Sequence, residues 1–360
     1  MKTAKRSNDE IHAPKPLRRE AKIGLLIILL LTILISLSMG SVNLSVEKII
    51  GIVTRKTGQI ISGHHAEQRS VEEIIIFHIR LPRVLVGVLV GASLAVSGVI
   101  FQAIFKNPMA SPFVTGVSSG AALGATIGIV AGVSRTALGL GVVSISALLG
   151  ALGAMLLVSI ISRAGTGSQT LRLLLSGLAV SYLLSAITSL IMIVSGQELH
   201  AVVSWLMGGL TNSNWIQVEV GIPTALLGII SAYIFSREMN VMLLSDEEAR
   251  NLGVEVEKTR KRLMILASAT TALAVSLTGT IGFVGLMTPH LARTIFSSDH
   301  RTLIPTSAIL GSIMLVISDA IARTVLTSSE IPVGIMTSLL GGPFFIYLLA
   351  TRKGNEPFGG

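Results

Sequence analysis

Long apolar runs separated by short polar breaks set the period of this chain. A run from 23 to 39 follows a polar, basic opening, and further runs lie near 84 to 104, 113 to 132, 139 to 161, 171 to 195, 216 to 235, 263 to 281, 284 to 297, 303 to 325 and 332 to 350. A hydrocarbon layer about 30 Å thick takes about 20 apolar residues per helix, so these ten runs predict ten membrane-spanning helices. The eighth run is the shortest and ends in His290 and Arg293. The expected architecture is an all-α polytopic membrane protein.

Composition agrees with the pattern. Of 360 residues, 51% are hydrophobic and 13% charged, whereas a soluble domain carries about 25% charge. The 36 glycines sit largely inside apolar runs, where small residues let membrane helices approach closely. Gly116, Gly120, Gly124 and Gly128 recur every four residues, so the third span is expected to touch a neighbour along that stripe. The formal charge of +9 falls at segment ends rather than on one folded face, which points to membrane orientation and away from nucleic acid. Cysteine is absent, which excludes disulfides and thiol chemistry.

The charge pattern also divides the chain. Residues 1–22 are expected to be a cytoplasmic tail preceding an uncleaved signal anchor, since no clear A-x-A cleavage site follows the first run. Residues 23–350 form the transmembrane domain, and 351–360 a second cytoplasmic tail. Counting spans puts Arg163, Arg172, the loop 236–262 and the Arg352-Lys353 tail inside, and the loop 196–215, which lacks Lys and Arg, outside.

Three constellations bear on function. The loop 236–262 carries Asp246-Glu247-Glu248-Ala249-Arg250-Asn251-Leu252-Gly253, which predicts two short helices turning at Gly253. It is either an ordinary charged connection or a docking surface for a cytoplasmic partner. Arg80 and Arg83 open the second span on the outer face, against the positive-inside trend, and Arg323 lies on the same side. These guanidinium groups either snorkel to lipid headgroups or pair with an acidic protein. His290 and Asp319 are ionisable groups at membrane depth, open to a structural or a proton-relay role. No ligand spacing for a transition metal accompanies them. The sequence contains no G-x-x-x-x-G-K-[ST] loop and no nucleophile elbow, so ATP chemistry and hydrolysis are not expected in this chain.

The ordered motifs resemble the FecCD family of ABC-importer permeases from about residue 78 to 350. They stand here as Arg80-Leu81-Pro82-Arg83, Gly91-Ala92-x-Leu94-Ala95-x-Ser97-Gly98 with Gln102, Asn107-Pro108-Met109-Ala110-x-Pro112 and Gly116-Val117-Ser118. Later come Ala249-x-x-Leu252-Gly253, Gly282-Phe283-Val284-Gly285-Leu286-x-x-Pro289-His290-x-x-Arg293, Asp299-His300-Arg301, Asp319-x-x-Ala322-Arg323 and Glu330-x-Pro332-x-Gly334.

The resemblance implies a type II ABC importer permease fold of about ten helices in a prokaryotic cell (inner) membrane, with both termini cytoplasmic. It implies a second permease subunit, most simply an identical one, two cytoplasmic ATPase subunits that hold ATP-Mg, and an extracytoplasmic substrate-binding protein. The cargo would be a metal chelate: a ferric siderophore, haem or cobalamin. By the same resemblance Arg80, Arg83 and Arg323 would dock the binding protein, and Ala249, Leu252 and Gly253 would engage the ATPase. Ser176, Ser181, Ser185, Thr337 and Ser338 would line the pathway. No cofactor is expected in the chain itself. The alternative of a different class is a proton-coupled secondary transporter using His290 and Asp319.

Overall fold

The computed structural model describes residues 19–40, 42, 44–62, 70–132, 141–164, 169–326 and 329–351. Every regular element among them is helical: α1 (Arg19–Ser38), α2 (Val46–Ser62), α3 (Val71–Ile74), α4 (Leu81–Phe105), α5 (Val117–Val130), α6 (Val142–Ala164), α7 (Gln169–Val194), α8 (Leu199–Leu206), α9 (Trp215–Ile234), α10 (Ser236–Met242), α11 (Asp246–Asn251), α12 (Val256–Thr278), α13 (Val284–Ile295), α14 (His300–Ala322) and α15 (Val333–Thr351).

Seven described helices are long and apolar enough to cross a membrane. The ten expected spans all coincide with helices, but three of them fall short of that standard. α5 has 14 residues and α13 has 12, and α12 opens on Glu257, Lys258, Arg260, Lys261 and Arg262, which put charge into its first two turns. The expected tails, 1–22 and 351–360, lie almost entirely outside the described residues.

Helix α4 is the centre of the bundle. Nearly all its residues are buried, against α14, α9, α12 and α13. Two glycine pairs set the closest approaches. A Cβ on Gly91 would collide with the Gly311 carbonyl of α14, and one on Gly98 with the Gly285 carbonyl of α13. The glycine stripe of α5 meets α6 as expected: Gly120 abuts the Gly150 carbonyl and Gly124 the Ser146 carbonyl.

Two features were not legible in the apolar runs. A π-helical stretch, Ile75–Arg80, joins α3 to α4 and makes one rod of 35 residues, Val71–Phe105. At about 1.5 Å per residue that rod is far longer than a hydrocarbon core of about 30 Å, and its first turns carry the polar groups Glu72, Glu73, His78 and Arg80. Against them lies α2, whose Ile49 and Ile52 pack with Leu37, Leu44, Ile76 and Val84 as a small apolar cluster.

Candidate functional site

At four places the backbone leaves the helical state, and these places adjoin one another. They are a 3₁₀ turn at Pro112–Thr115, the break after α8 at Gly208, the segment Gly279–Phe283 between α12 and α13, and the start of α15 at Gly334. Gly209 N–H donates to the Thr278 carbonyl at 2.8 Å, Gly334 N–H to the Gly208 carbonyl at 3.4 Å, and the Thr280 hydroxyl to the Leu206 carbonyl. Non-helical backbone at membrane depth persists where it is buried in protein or lines a cavity. Here it does line one.

A recess of about 490 Å³ is walled by Phe113, Leu206, Met207, Thr280, Gly334 and Ser338, among others. A second, of about 250 Å³, shares Phe113 and Gly282 with it and adds Leu94, Ser111, Pro112 and Phe283. No charged side chain lines either recess. The walls therefore offer apolar contact and a few hydroxyls, with no fixed counter-charge for a small ion.

The five expected pathway residues divide between wall and packing. Ser338 lines the larger recess, its hydroxyl donating to the Gly334 carbonyl at 2.7 Å. Thr337 is fully buried and donates to the same carbonyl at 3.1 Å. Ser176 is buried, Ser181 half-buried and Ser185 exposed along α7, and none of the three lines either recess.

The loop 236–262 folds into more helix than expected. α10, α11 and the first turns of α12 replace the two short helices predicted around Gly253. α11 is closed at both ends. Ser245 and Glu248 form a capping box, with the Glu248 N–H on Ser245 Oγ at 3.2 Å and the Ser245 N–H on Glu248 Oε2 at 2.9 Å. Those bonds from Ser245 hold the Glu248 carboxyl below its usual range. At the other end Val254 N–H reaches the Ala249 carbonyl and Gly253 N–H the Arg250 carbonyl, a Schellman closure that Gly253 permits with φ of +83°.

Of the three residues expected to engage a partner, Ala249 is fully buried and anchors the helix, whereas Leu252 is 57% exposed and Gly253 has open space around it. Leu243 and Leu244, which the sequence did not single out, are exposed on the same loop. The loop thus exposes three leucines, Leu243, Leu244 and Leu252, on a segment that is otherwise mostly polar.

Ion pairs pin the loop to the bundle. Lys106 Nζ donates to Asp246 Oδ1 at 2.8 Å and to the Leu244 carbonyl at 2.6 Å, and Arg260 Nη2 reaches Asp246 Oδ2 at 3.1 Å. The bond from Lys106 is the main cause that holds the Asp246 carboxyl below its usual range; burial opposes it, and the bond from Arg260 adds to it. Asn240 of α10 donates to Asp299 at 2.7 Å and contacts His300 Nδ1 at 2.6 Å, tying the loop to the start of α14. Lys106 lies 140 residues from Asp246 and Asn240 lies 59 from Asp299, so no local pattern marked those pairs; Arg260 is 14 residues from Asp246.

The expected docking arginines converge on the other end of the bundle but face inward. Arg83 is 6% exposed and donates through Nε to Asp319 Oδ1 at 3.0 Å, through Nη2 to the same oxygen at 2.9 Å and through Nη1 to Glu330 at 2.9 Å. Arg323 pairs with Asp319 Oδ2 at 3.1 Å and donates to Ser36 Oγ at 2.7 Å. Arg80, 4% exposed, donates to the Leu37 carbonyl at 2.7 Å and to the Val42 carbonyl. All three therefore have partners within the chain, binding α1, α4 and α14 together. Glu330, whose side chain is 41% exposed and which accepts from Thr211 Oγ1 at 2.9 Å, is the solvent-facing member of the network.

Of the two relay candidates, Asp319 is consumed by this network. His290 lies on α13 with its ring edge-on to Phe344, centroids 5.9 Å apart. Among the described residues no cluster of His, Asp or Glu could hold a metal ion.

Comparison with known proteins agrees with this architecture. The cobalamin import system permease protein BtuC of Halobacterium salinarum is 46% identical over 208 residues, 58% of this chain and 56% of that protein, so the chain spans little more than half of that relative's length. The iron(3+)-hydroxamate import system permease protein FhuG of Bacillus subtilis is 32% identical over 314 residues, 86% of this chain and 91% of that protein. A metal-chelate type ABC transporter solved in an inward-facing conformation superposes with a TM-score of 0.80 at 33% identity, covering 92% of this chain and 99% of that one. The FecCD transport family model matches residues 28–351, and the chain belongs to that family.

Proposed function

We propose that this chain is the membrane-spanning permease subunit of an ATP-driven importer for a metal chelate of the cobalamin, haem or ferric siderophore class. The observation that carries the reading is the loop around α11: capped at both ends, pinned by Asp246 to Lys106 and Arg260, and presenting Leu252 to solvent. Such a loop suits docking into a cleft of a cytoplasmic ATPase, which would hold the ATP-Mg that this chain has no phosphate-binding loop to cradle. Binding and hydrolysis there would switch the recess between outward and inward access. Two such chains, most simply identical, would face each other across the pathway in a prokaryotic cell membrane, both termini cytoplasmic.

The recess supports the cargo class. Walls of Leu, Met, Phe and Ile without a charge suit a large ligand that carries its metal inside an organic shell. A hydrated ion would lose water there without replacement.

An extracytoplasmic binding protein would deliver the cargo. Its docking surface on this chain would be the outer rim that Arg80, Arg83 and Arg323 brace from within, where Glu330 is the group of that network open to a partner.

The test is reconstitution in liposomes with the cognate ATPase and binding protein, measuring uptake of cyanocobalamin, hemin and ferrichrome. Uptake of one of them that requires ATP is expected. Uptake that persists without ATP and collapses with an uncoupler would replace this reading with a proton-coupled secondary transporter. Asp319 gives that alternative little support, since Arg83 and Arg323 occupy both its oxygens.

A further inference from the structure

Lys106 sits where three independent features meet. It caps the C-terminus of α4 in the left-handed region, with φ of 47°, a conformation that a side chain with a Cβ adopts only at a cost. Its ammonium spans to α11, bonding the Leu244 carbonyl at 2.6 Å and Asp246 Oδ1 at 2.8 Å. Its backbone leads directly into the turn that becomes the wall of the recess.

That turn is stiff. Asn107 Oδ1 accepts from Met109 N–H at 2.8 Å, and the Ala110 N–H closes on the Asn107 carbonyl at 3.0 Å. The chain then enters the 3₁₀ turn Pro112–Thr115, where Ser111, Pro112 and Phe113 line the recess. Beyond them the Val114 carbonyl lies so close to α7 that a Cβ on Gly177 would collide with it. A displacement of α11 thus reaches the recess wall through one side chain and about seven residues of braced backbone.

The loop's second anchor, from Asn240 to Asp299 and His300, leads to α14 and to none of the residues that line the recess. Arg260 also holds Asp246, with its side chain buried, but it lies in the first turns of α12, within the loop itself, and is not among the residues that line the recess. Of these contacts, only that through Lys106 joins the loop to the turn that carries Ser111 and Phe113.

We propose that Lys106 is a positioning residue for transport: its two-point grip on Leu244 and Asp246 carries movement of the docked loop to the recess wall at Ser111–Phe113. The proposal rests on the reading of α11 as the ATPase-docking element. It assigns to Lys106 a role separable from docking itself, because the ammonium is bonded within the chain to Leu244 and Asp246, whereas Leu252 and Gly253 are open to a partner.

The absence of cysteine from the chain makes a direct test possible without knowing the cargo. Ser111→Cys places a single thiol on the wall, and its labelling rate by N-ethylmaleimide in proteoliposomes containing the cognate ATPase reads wall exposure with and without ATP-Mg. A change of at least about fivefold on ATP binding is expected with Lys106 intact. Lys106→Met should remove that change while the ATPase stays bound in pull-down, and Lys106→Arg, which retains charge and reach, should restore it. Asp246→Asn provides the same test from the other side of the contact should Lys106→Met fail to fold. An ATP response that survives both Lys106→Met and Asp246→Asn with the ATPase bound overturns the proposal alone. Failure of the ATPase to bind the unsubstituted chain, or binding that ignores Leu252→Asp, overturns the docking reading and the proposal with it.

Discussion

Arg83 and Asp319, 236 residues apart in sequence, form a two-nitrogen ion pair inside the bundle, with side chains 7% and 2% exposed. The pair locks α4 to α14 a few turns from the Gly91–Gly311 contact, so the two helices are joined both by close packing and by charge. Arg323 completes the neutralisation of Asp319 from one turn further along α14.

Removing one member of a buried pair strands the other charge, which costs about 3–5 kcal/mol. Asp319→Asn takes the shared carboxylate from both arginines, leaving Arg83 only Glu330 and Arg323 without its ion-pair partner, and is expected to lower the thermal midpoint of the detergent-solubilised chain more than Arg83→Met does. The double variant should lose less than the sum, since the two share one network. Additive losses would show that the pair contributes little beyond its packing.

The glycine contacts give a second, purely steric expectation. Gly98→Ala drives a methyl group into the Gly285 carbonyl, and the backbone of α13 must move to admit it. Overpacking of this kind costs about 1–3 kcal/mol. Gly24→Ala, on α1 with nothing within 4 Å of the added carbon, is the control, with an effect within about 0.5 kcal/mol. The yield of monodisperse protein for the two variants decides the matter, and equal yields would contradict the close approach.

The fold was legible because lipid imposes a long apolar period, and all ten expected runs are helical. α2 escaped that reading because its apolar residues alternate with Glu47, Lys48, Arg55 and Lys56 at helical spacing and never form a run. The site was legible only where one segment carries it. Gly253 and its capped helix could be read from Ser245 onward, whereas the direction in which Arg80 and Arg83 point depends on Leu37, Val42, Asp319 and Glu330, from three distant stretches. Charge at a span end shows that a partner is needed, not whether it lies within the chain. For the same reason Lys106 carried no signal beside Asn107 and Pro108: its partners come 138 and 140 residues later.

The Lys106–Asp246–Arg260 triad sets a pH expectation. The Asp246 carboxyl is held below its usual range, so its contribution to the folded loop is complete above the unfolded pKa and is lost as pH falls through the lower folded value. Between pH 7 and about pH 5 the protection of α11 amides against hydrogen exchange, corrected for intrinsic rate, should therefore stay constant. Asp246→Asn should reduce that protection at both pH values. Protection in the unsubstituted chain that disappears between pH 7 and about pH 5 would assign the loop's stability to some group other than this carboxylate.

The proposed docking surface is tested most directly at Leu252. Its side chain is exposed while Ala249, three residues earlier on the same short helix, is fully buried, so Leu252→Asp alters the presented face and leaves the anchor in place. Truncating or charging a central apolar contact costs about 2 kcal/mol or more, roughly a thirtyfold loss of affinity. The ATPase is expected to bind Leu252→Asp in nanodiscs at least that much more weakly, with the thermal midpoint of the permease unchanged. Gly253→Ala acts differently: the left-handed backbone at +83° disfavours a side chain, so the turn itself should shift and coupling suffer even though no contacting atom is lost. Ala249→Asp should instead unfold the loop by burying an unpaired carboxylate. If all three variants bound the ATPase and supported coupled hydrolysis like the unsubstituted chain, α11 would be a solvated connection and the docking contact would have to lie elsewhere on the inner face.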